Sequence, residues 1–377
     1  PLSPLQEGIY FHYLMSDEEE GDPYILPTLL SFENEEKRTL FVEALQFVVD
    51  RHDVLRTCFV NKGLPNAVQV VLREAPLLVE ELNIDSDKDF SAEIELLVAP
   101  GRQWMDVSKA PLLQLKSVYD PKTEMYYLIV YQHHLALDHI GLDKVVSEIV
   151  LYSSGRQAEL PTPVLYRDFI GHTLHSQATN DSESYFKGLL GNIDEPTYPF
   201  ALSDIRDNFS DIKESQLLLP EELSEELRKI SISSGMSTAV IFHAAFGLVI
   251  GRCSNTDYAI FGSLLLGRLQ GSLGAADSLG LFINTLPFLT ELKGSIKEYI
   301  AEVNKGLTEL LAYEQTPLSD VHTWSGISNE IPLFSALLNF RHSALPPEAE
   351  EAQEVEEEGF DMGVDVVTVN ERTNYPI

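Results

Sequence analysis

Apolar positions along the chain repeat with two different periods. Over residues 35–50, Leu40, Phe41, Ala44, Leu45 and Val48 recur every three or four positions, which predicts an amphipathic helix. The Arg51–Thr57 segment then runs into Cys58-Phe59-Val60, which reads as a strand. Residues 125–132 (MYYLIVYQ) are β-branched and aromatic and predict a buried strand ending at His133-His134. A helix is predicted over 142–152, with Val145, Val146, Ile149 and Val150 on its apolar side. Further on, residues 220–230 predict a polar surface helix with Leu223, Leu227 and Ile230 as its apolar face. Ser237 is placed to cap a helix over 238–252 that is apolar nearly all round and so expected to be buried. Strands are predicted over 258–266, 283–289 and 333–340. Ile296, Tyr299, Ile300, Val303, Leu307 and Leu310 make 295–311 an amphipathic helix. Helical and strand patterns alternate throughout, without a solenoid repeat, so the fold class is mixed α/β. The polar, turn-prone stretch 176–184 is the expected crossover between an N-terminal lobe, 1–176, and a C-terminal lobe, 177–377.

Composition narrows the function. Of 377 residues, 44% are apolar and 23% charged, which excludes disorder of the whole chain. Twenty-six basic residues face 59 acidic ones, a net charge of -33. Such a chain repels phosphate backbones and anionic lipid, so neither nucleic acid nor membrane is an expected partner. Cys58 and Cys253 cannot build a disulfide framework, which fits a reducing, cytoplasmic setting. No apolar run approaches the ~20 residues that span a bilayer. Acidic blocks at 17–20 and 348–361 are expected to be solvated loops. The chain begins at Pro1 rather than Met and stops at Tyr375-Pro376-Ile377, so it reads as a piece of a longer polypeptide with its last element cut short.

The residues that could carry chemistry are His133, His134 and Asp138. Successive strand side chains face opposite ways, so one histidine can face a cavity while the other packs. Imidazole suits base work because its ordinary pKa of ~6.5 lies near cellular pH. Asp138 is placed either to cap the following helix or to pin the loop through an arginine. Adjacent histidines could also bind metal, but no H-E-x-x-H or cysteine cluster accompanies them, and no G-x-S-x-G elbow supports a serine hydrolase.

The string Gln132-His133-His134-Leu135-Ala136-Leu137-Asp138 resembles the His-His-x-x-x-Asp-Gly motif of nonribosomal peptide synthetase condensation domains. Six further stretches resemble motifs of that family, in the family's order. They are Pro1-Leu2-Ser3-Pro4-Leu5-Gln6-Glu7-Gly8, then Arg51-His52-Asp53-Val54-Leu55-Arg56-Thr57, then Tyr166-Arg167-Asp168-Phe169. Phe261–Arg268 (FGSLLLGR), Leu279–Pro287 (LGLFINTLP) and Leu333–Phe340 (LFSALLNF) follow. The resemblance implies a chloramphenicol acetyltransferase-like α/β fold, with two related lobes in a V around a central tunnel. It implies amide formation between a donor acyl or peptidyl thioester and an acceptor aminoacyl thioester. Both would ride on phosphopantetheine arms of upstream and downstream peptidyl carrier proteins, beside an adenylation domain, and the domain itself would bind no cofactor or metal. It assigns His134 to the acceptor amine, as base or hydrogen-bond anchor, His133 to packing, and Asp138 to an ion pair with Arg268.

The sequence departs from the family at two points. His139 stands at the motif's glycine, where a benign replacement is preferred to a catalytic role; a histidine tolerates a left-handed turn there. Phe11-His12-Tyr13-Leu14 with Gly21-Asp22 is similar to the extended N-terminal motif of dual epimerization/condensation domains, but Tyr13 replaces its second histidine. Ser335 and Asn339, in the late strand motif, join His139, His12 and Tyr13 as tunnel or subgroup positions. An epimerization domain is the second reading. A non-catalytic recruitment domain of the same fold is the third, and the intact His134 argues against it.

Overall fold

In chain order the first half runs α1 (Pro4–Met15), β1 (Ile25–Phe32), α2 (Glu35–Arg51), β2 (Thr57–Val60), β3 (Val68–Val71), β4 (Val79–Leu82), α3 (Phe90–Leu97), β5 (Leu113–Asp120), β6 (Met125–His133), α4 (His139–Ser153) and α5 (Tyr166–Thr179). The second half runs α6 (Ser182–Leu190), α7 (Glu221–Ser234), α8 (Thr238–Cys253), β7 (Tyr258–Leu265), β8 (Asn284–Glu291), α9 (Ile296–Leu311), α10 (Leu318–Ser325), β9 (Leu337–Leu338) and β10 (Val364–Val369). The computed structural model describes residues 1–16, 18, 21–85, 89–99, 102–202, 213, 215–268, 274, 277–328, 330–341 and 364–369. The acidic block 348–361, all of 17–20 except Glu18, and residues 375–377 lie outside the described residues.

These elements form two units. The first holds the described residues of 1–173, 271–282 and 344–372, and the second those of 174–270 and 283–343. In the first unit a five-stranded sheet has the order β10-β1-β6-β5-β4. β6 lies antiparallel to β1 on one side and to β5 on the other, with Ile25 opposite His133 and Leu113 opposite Gln132. Its Leu128, Ile129 and Tyr131 are almost wholly buried, as a strand apolar on both faces requires. A β2-β3 hairpin is separate. In the second unit β8, β7 and β9 form a three-stranded sheet against α8 and α9. Ser295 caps α9 in a capping box with Glu298.

Three expectations change. The stretch 176–184 is no loop. α5 continues through Thr179, its last turn held by the Gln177 side chain donating to the Gln315 carbonyl (2.8 Å), and Asp181 caps α6. The late strand shrinks to two residues. Leu333, Phe334 and Ala336 pack into the core instead, and Gly262 has no side chain because a Cβ there would strike the Phe334 ring. The helices are less buried than their composition implies. α8 buries only the stripe of Val240, His243, Ala244, Gly247, Ile250 and Gly251, leaving Leu248 and Val249 exposed. On α4, Val145 and Ile149 are buried but Val146 and Val150 are exposed, and α7 buries no residue. Among the described residues no single helix is long and apolar enough to cross a membrane.

The second motif joins α2 to α4. Arg51 Nε and His52 Nε2 each reach the Glu148 carboxylate at 3.0 Å. Burial pushes the Glu148 carboxyl up, but the His52 and Arg51 hydrogen bonds outweigh it and hold the group below its ordinary range. A depressed carboxyl contributes stability above its unfolded pKa of about 4.3 and loses it as pH falls through the folded value. Glu148→Gln should therefore cost about 1.5–3 kcal/mol near neutral pH, the range for hydrogen bonds to charged groups. The gap from wild type should shrink in acid, and urea unfolding at neutral pH and near pH 4 measures it.

Candidate active site

The C-terminal end of β6 delivers the two histidines in opposite senses. His133 is the last ladder residue and has no solvent exposure; His134 follows it and is half-buried. The backbone N–H of His134 extends the β1–β6 pairing by donating to the Tyr24 carbonyl at 2.8 Å. A tight turn follows, closed by the Ala136 N–H on the His133 carbonyl at 3.0 Å. Leu135, Ala136 and Leu137 are buried, so apolar packing fixes the turn.

Hydrogen bonds fix the tautomer of each ring. His134 Nδ1 lies 3.0 Å from the Leu137 carbonyl oxygen. A carbonyl only accepts, so Nδ1 carries the proton and the lone pair of the neutral ring is on Nε2. His133 is the reverse: its Nδ1 accepts the Leu135 N–H at 3.1 Å, and its Nε2–H donates to the Asp22 carboxylate at 3.0 Å. The two adjacent rings therefore present opposite nitrogens as donors.

Asp138 caps α4. One carboxylate oxygen accepts the Gly141 N–H at 2.8 Å and the other the Phe282 N–H at 3.2 Å. Its own N–H donates to the Gly280 carbonyl at 3.1 Å. The 280–282 segment is thus tied to the histidine loop at two points. Tyr166, at the start of α5, anchors the same segment by donating its hydroxyl to the Leu281 carbonyl at 2.6 Å. The rings of Tyr166, Phe169 and Phe282 pack together beneath. Gly280 has a φ of 151°, and a Cβ there would run into the Tyr166 ring. His139 is the first residue of α4 and has no positive φ, so the expected left-handed turn is not needed at this position. Helical backbone accepts a side chain where a left-handed turn would resist one.

The opening motif reaches the same loop. Ser3 and Gln6 form a capping box on α1, and the buried Gln6 Nε2 donates to the Leu135 carbonyl at 2.9 Å. Farther along α1, Tyr13 stacks on Trp104 at 4.7 Å between centroids and meets the edge of the His133 ring. Burial pushes the Tyr13 hydroxyl above its ordinary value, with Asp106 and Asp22 acting in the same direction. His12 Nδ1 is 2.6 Å from the Tyr24 hydroxyl.

His12, Tyr13, His133, His134, Asp138 and His139 all belong to the first unit, whereas Arg268, Ser335 and Asn339 belong to the second. Ser335 is fully buried there. Asp22 was read from the sequence only as part of the Gly21-Asp22 pair of the N-terminal motif, not as a partner of His133. It pairs with a residue more than a hundred positions away, and no local pattern marks that partner. Among the described residues no three His, Cys, Asp or Glu side chains converge as metal ligands.

The family model described as "Condensation domain" matches residues 1–377. The chain is 34% identical over 382 residues to malpibaldin synthetase of Mortierella alpina and 35% identical over 378 residues to malpinin synthetase of the same organism. Each alignment covers 100% of this chain but only 7% and 5% of those synthetases. Among solved structures, the condensation domain from monacolin K polyketide synthase superposes with a TM-score of 0.72 at 15% identity, covering 100% of this chain and 87% of the other. The first condensation domain of the calcium-dependent antibiotic synthetase, with a substrate analogue, gives 0.68 at 15% identity over 92% and 81%. These likenesses show the chloramphenicol acetyltransferase-like α/β fold.

Proposed function

This chain belongs to the condensation-domain family of amide-forming acyltransferases, and on that premise we propose that it joins a donor acyl or peptidyl thioester to an acceptor aminoacyl thioester. In this reading both substrates hang on phosphopantetheine arms of peptidyl carrier proteins, upstream and downstream, with an adenylation domain alongside. The arms belong to the carriers, and the chain contributes no cofactor of its own. The setting is the cytoplasm.

One observation carries the reading: a half-buried His134 whose Nδ1–H is anchored to the Leu137 carbonyl, leaving the lone pair on Nε2. The acceptor amine attacks the donor carbonyl carbon. A C–N bond forms, the C–S bond breaks, and the departing thiolate ends as a thiol with the proton the amine gives up. Nε2 takes that proton or orients the amine through it. Holding two tethered reactants in line supplies the larger share of the acceleration, up to about 7–11 kcal/mol in ideal cases. Asp138 then acts by holding the loop through its backbone partners. His139 is proposed to line the substrate path.

Loaded donor and acceptor carriers, mixed with the chain and read by intact-protein mass spectrometry, should show the joined product on the acceptor arm. A folded chain that leaves both loaded carriers unreacted sinks the proposal. The dual epimerizing alternative is tested in the same assay. Tyr13 replaces the second motif histidine, and burial keeps its hydroxyl protonated near neutral pH, so it supplies no base there. An L-configured donor should keep its configuration in the product, and a D-residue by chiral chromatography would restore the dual reading.

A further inference from the structure

Resting on the reading of His134 as the working histidine, we infer that Asp22 is a positioning residue for its ring, acting through His133. The Asp22 side chain is 1% exposed and that of His133 0%. One carboxylate oxygen accepts the His133 Nε2–H at 3.0 Å and the other accepts the Tyr24 N–H at 2.9 Å. The Asp22 N–H donates to the Gln103 carbonyl at 2.7 Å. Two residues on, the Tyr24 carbonyl takes the His134 N–H at 2.8 Å. The Gly21–Tyr24 loop therefore grips both histidines, His133 by its ring and His134 by its backbone.

The grip reaches the His134 ring through the turn. With its proton on Nε2, His133 offers the Nδ1 lone pair to the Leu135 N–H at 3.1 Å. That bond and the Ala136–His133 bond shape the turn that presents the Leu137 carbonyl. The Leu137 carbonyl in turn holds the proton of His134 on Nδ1. Two donors, the His133 Nε2–H and the Tyr24 N–H, need two acceptors from one short side chain, and only a carboxylate supplies both. An asparagine would accept one and set its own N–H₂ against the other. Facing His133, that group would favour the proton on Nδ1, where it meets the Leu135 N–H donor to donor and loosens the turn. A charge buried against neutral donors is costly to desolvate, which marks the position as one where a second acceptor matters.

The test compares the chain with its Asp22→Asn variant by two readouts: amide formation on loaded carriers and imidazole ¹⁵N spectra at neutral pH. Wild type should show single tautomers, Nε2–H on His133 and Nδ1–H on His134. The folded variant should show mixed tautomers at both rings. Its kcat should fall about 10- to 100-fold with KM for the acceptor carrier nearly unchanged. That loss is smaller than the ~10⁴-fold seen when the carboxylate holding a catalytic histidine directly becomes an amide. Unchanged tautomers in the folded variant, with or without a loss of rate, overturn the inference, as does an unchanged rate. Should Asp22→Asn fail to fold, the wild-type spectrum still decides, because Nδ1–H on His133 contradicts the relay. Tautomers that respond as stated in a chain inactive with loaded carriers leave the relay standing and remove the proposed function instead.

Discussion

His134→Ala is expected to lower amide formation on loaded carriers by about 10²–10⁴-fold, the span a positioned proton-transfer group contributes. The fold should survive the change. The His134 ring is half-buried, and its backbone bond to the Tyr24 carbonyl does not involve the side chain. What disappears is the one group on the loop with a lone pair fixed at Nε2. Some rate should remain, because orientation of the tethered partners does not depend on the ring. Single-turnover kinetics with both carriers loaded measures the loss, and a variant as fast as wild type would remove His134 from the mechanism. His134→Gln then separates the two roles left open for the ring. An amide can still anchor the amine but cannot take its proton, so near-complete rescue means anchoring and continued loss means base catalysis.

The second large effect is expected at Gly280, far from the histidines in sequence. Gly280→Ala puts a methyl group into the Tyr166 ring and a side chain on a backbone with a φ of 151°. Overpacking and strained backbone each cost about 1–3 kcal/mol. Stability should therefore fall by at least about 2 kcal/mol in urea unfolding. The clash pushes on the segment whose carbonyl receives the Asp138 N–H and whose Phe282 N–H meets the Asp138 carboxylate. Turnover of the folded fraction should drop more than about tenfold, since small misplacements of reacting groups have large effects. Adding Tyr166→Leu makes room for the methyl group and should restore part of the stability. Failure to restore any would place the whole cost in the backbone. A single variant as stable and active as wild type would show that the segment does not hold the loop.

How much of this was legible in the sequence depended on whether the signal was local. The helix at Glu35–Arg51, the strand at Met125–His133 and the helix at Ile296–Leu311 follow from periodicity, because each has one face or two to bury. The opposite burial of His133 and His134 follows from strand geometry alone. α1 went unread as a helix although Ser3 and Gln6 have capping-box spacing, since those residues were weighed only as a motif. The end of α5 read as turn-prone because its last turn is polar, yet Gln177 and Asn180 secure it by donating to the Gln315 and Ala312 carbonyls. The late strand was overextended because an apolar run looks the same whether it pairs or packs. Asp22 and Gly280 could not be ranked at all. Their importance comes from partners brought in by the fold, His133 and Tyr166, and no spacing encodes those meetings.

The edge strand β10 has a consequence for how the protein is made. β1 pairs with β6 on one side and with β10 on the other, and β10 lies more than three hundred residues further along the chain. At about 5–20 residues per second, a ribosome delivers that edge on the order of tens of seconds after β1 has emerged. During that interval the apolar ILPTLLSF ribbon has an open side, the kind of edge that recruits other strands. The first unit to appear is thus among the last to finish, and nascent chains arrested before residue 364 should be the ones that aggregate or hold chaperones longest.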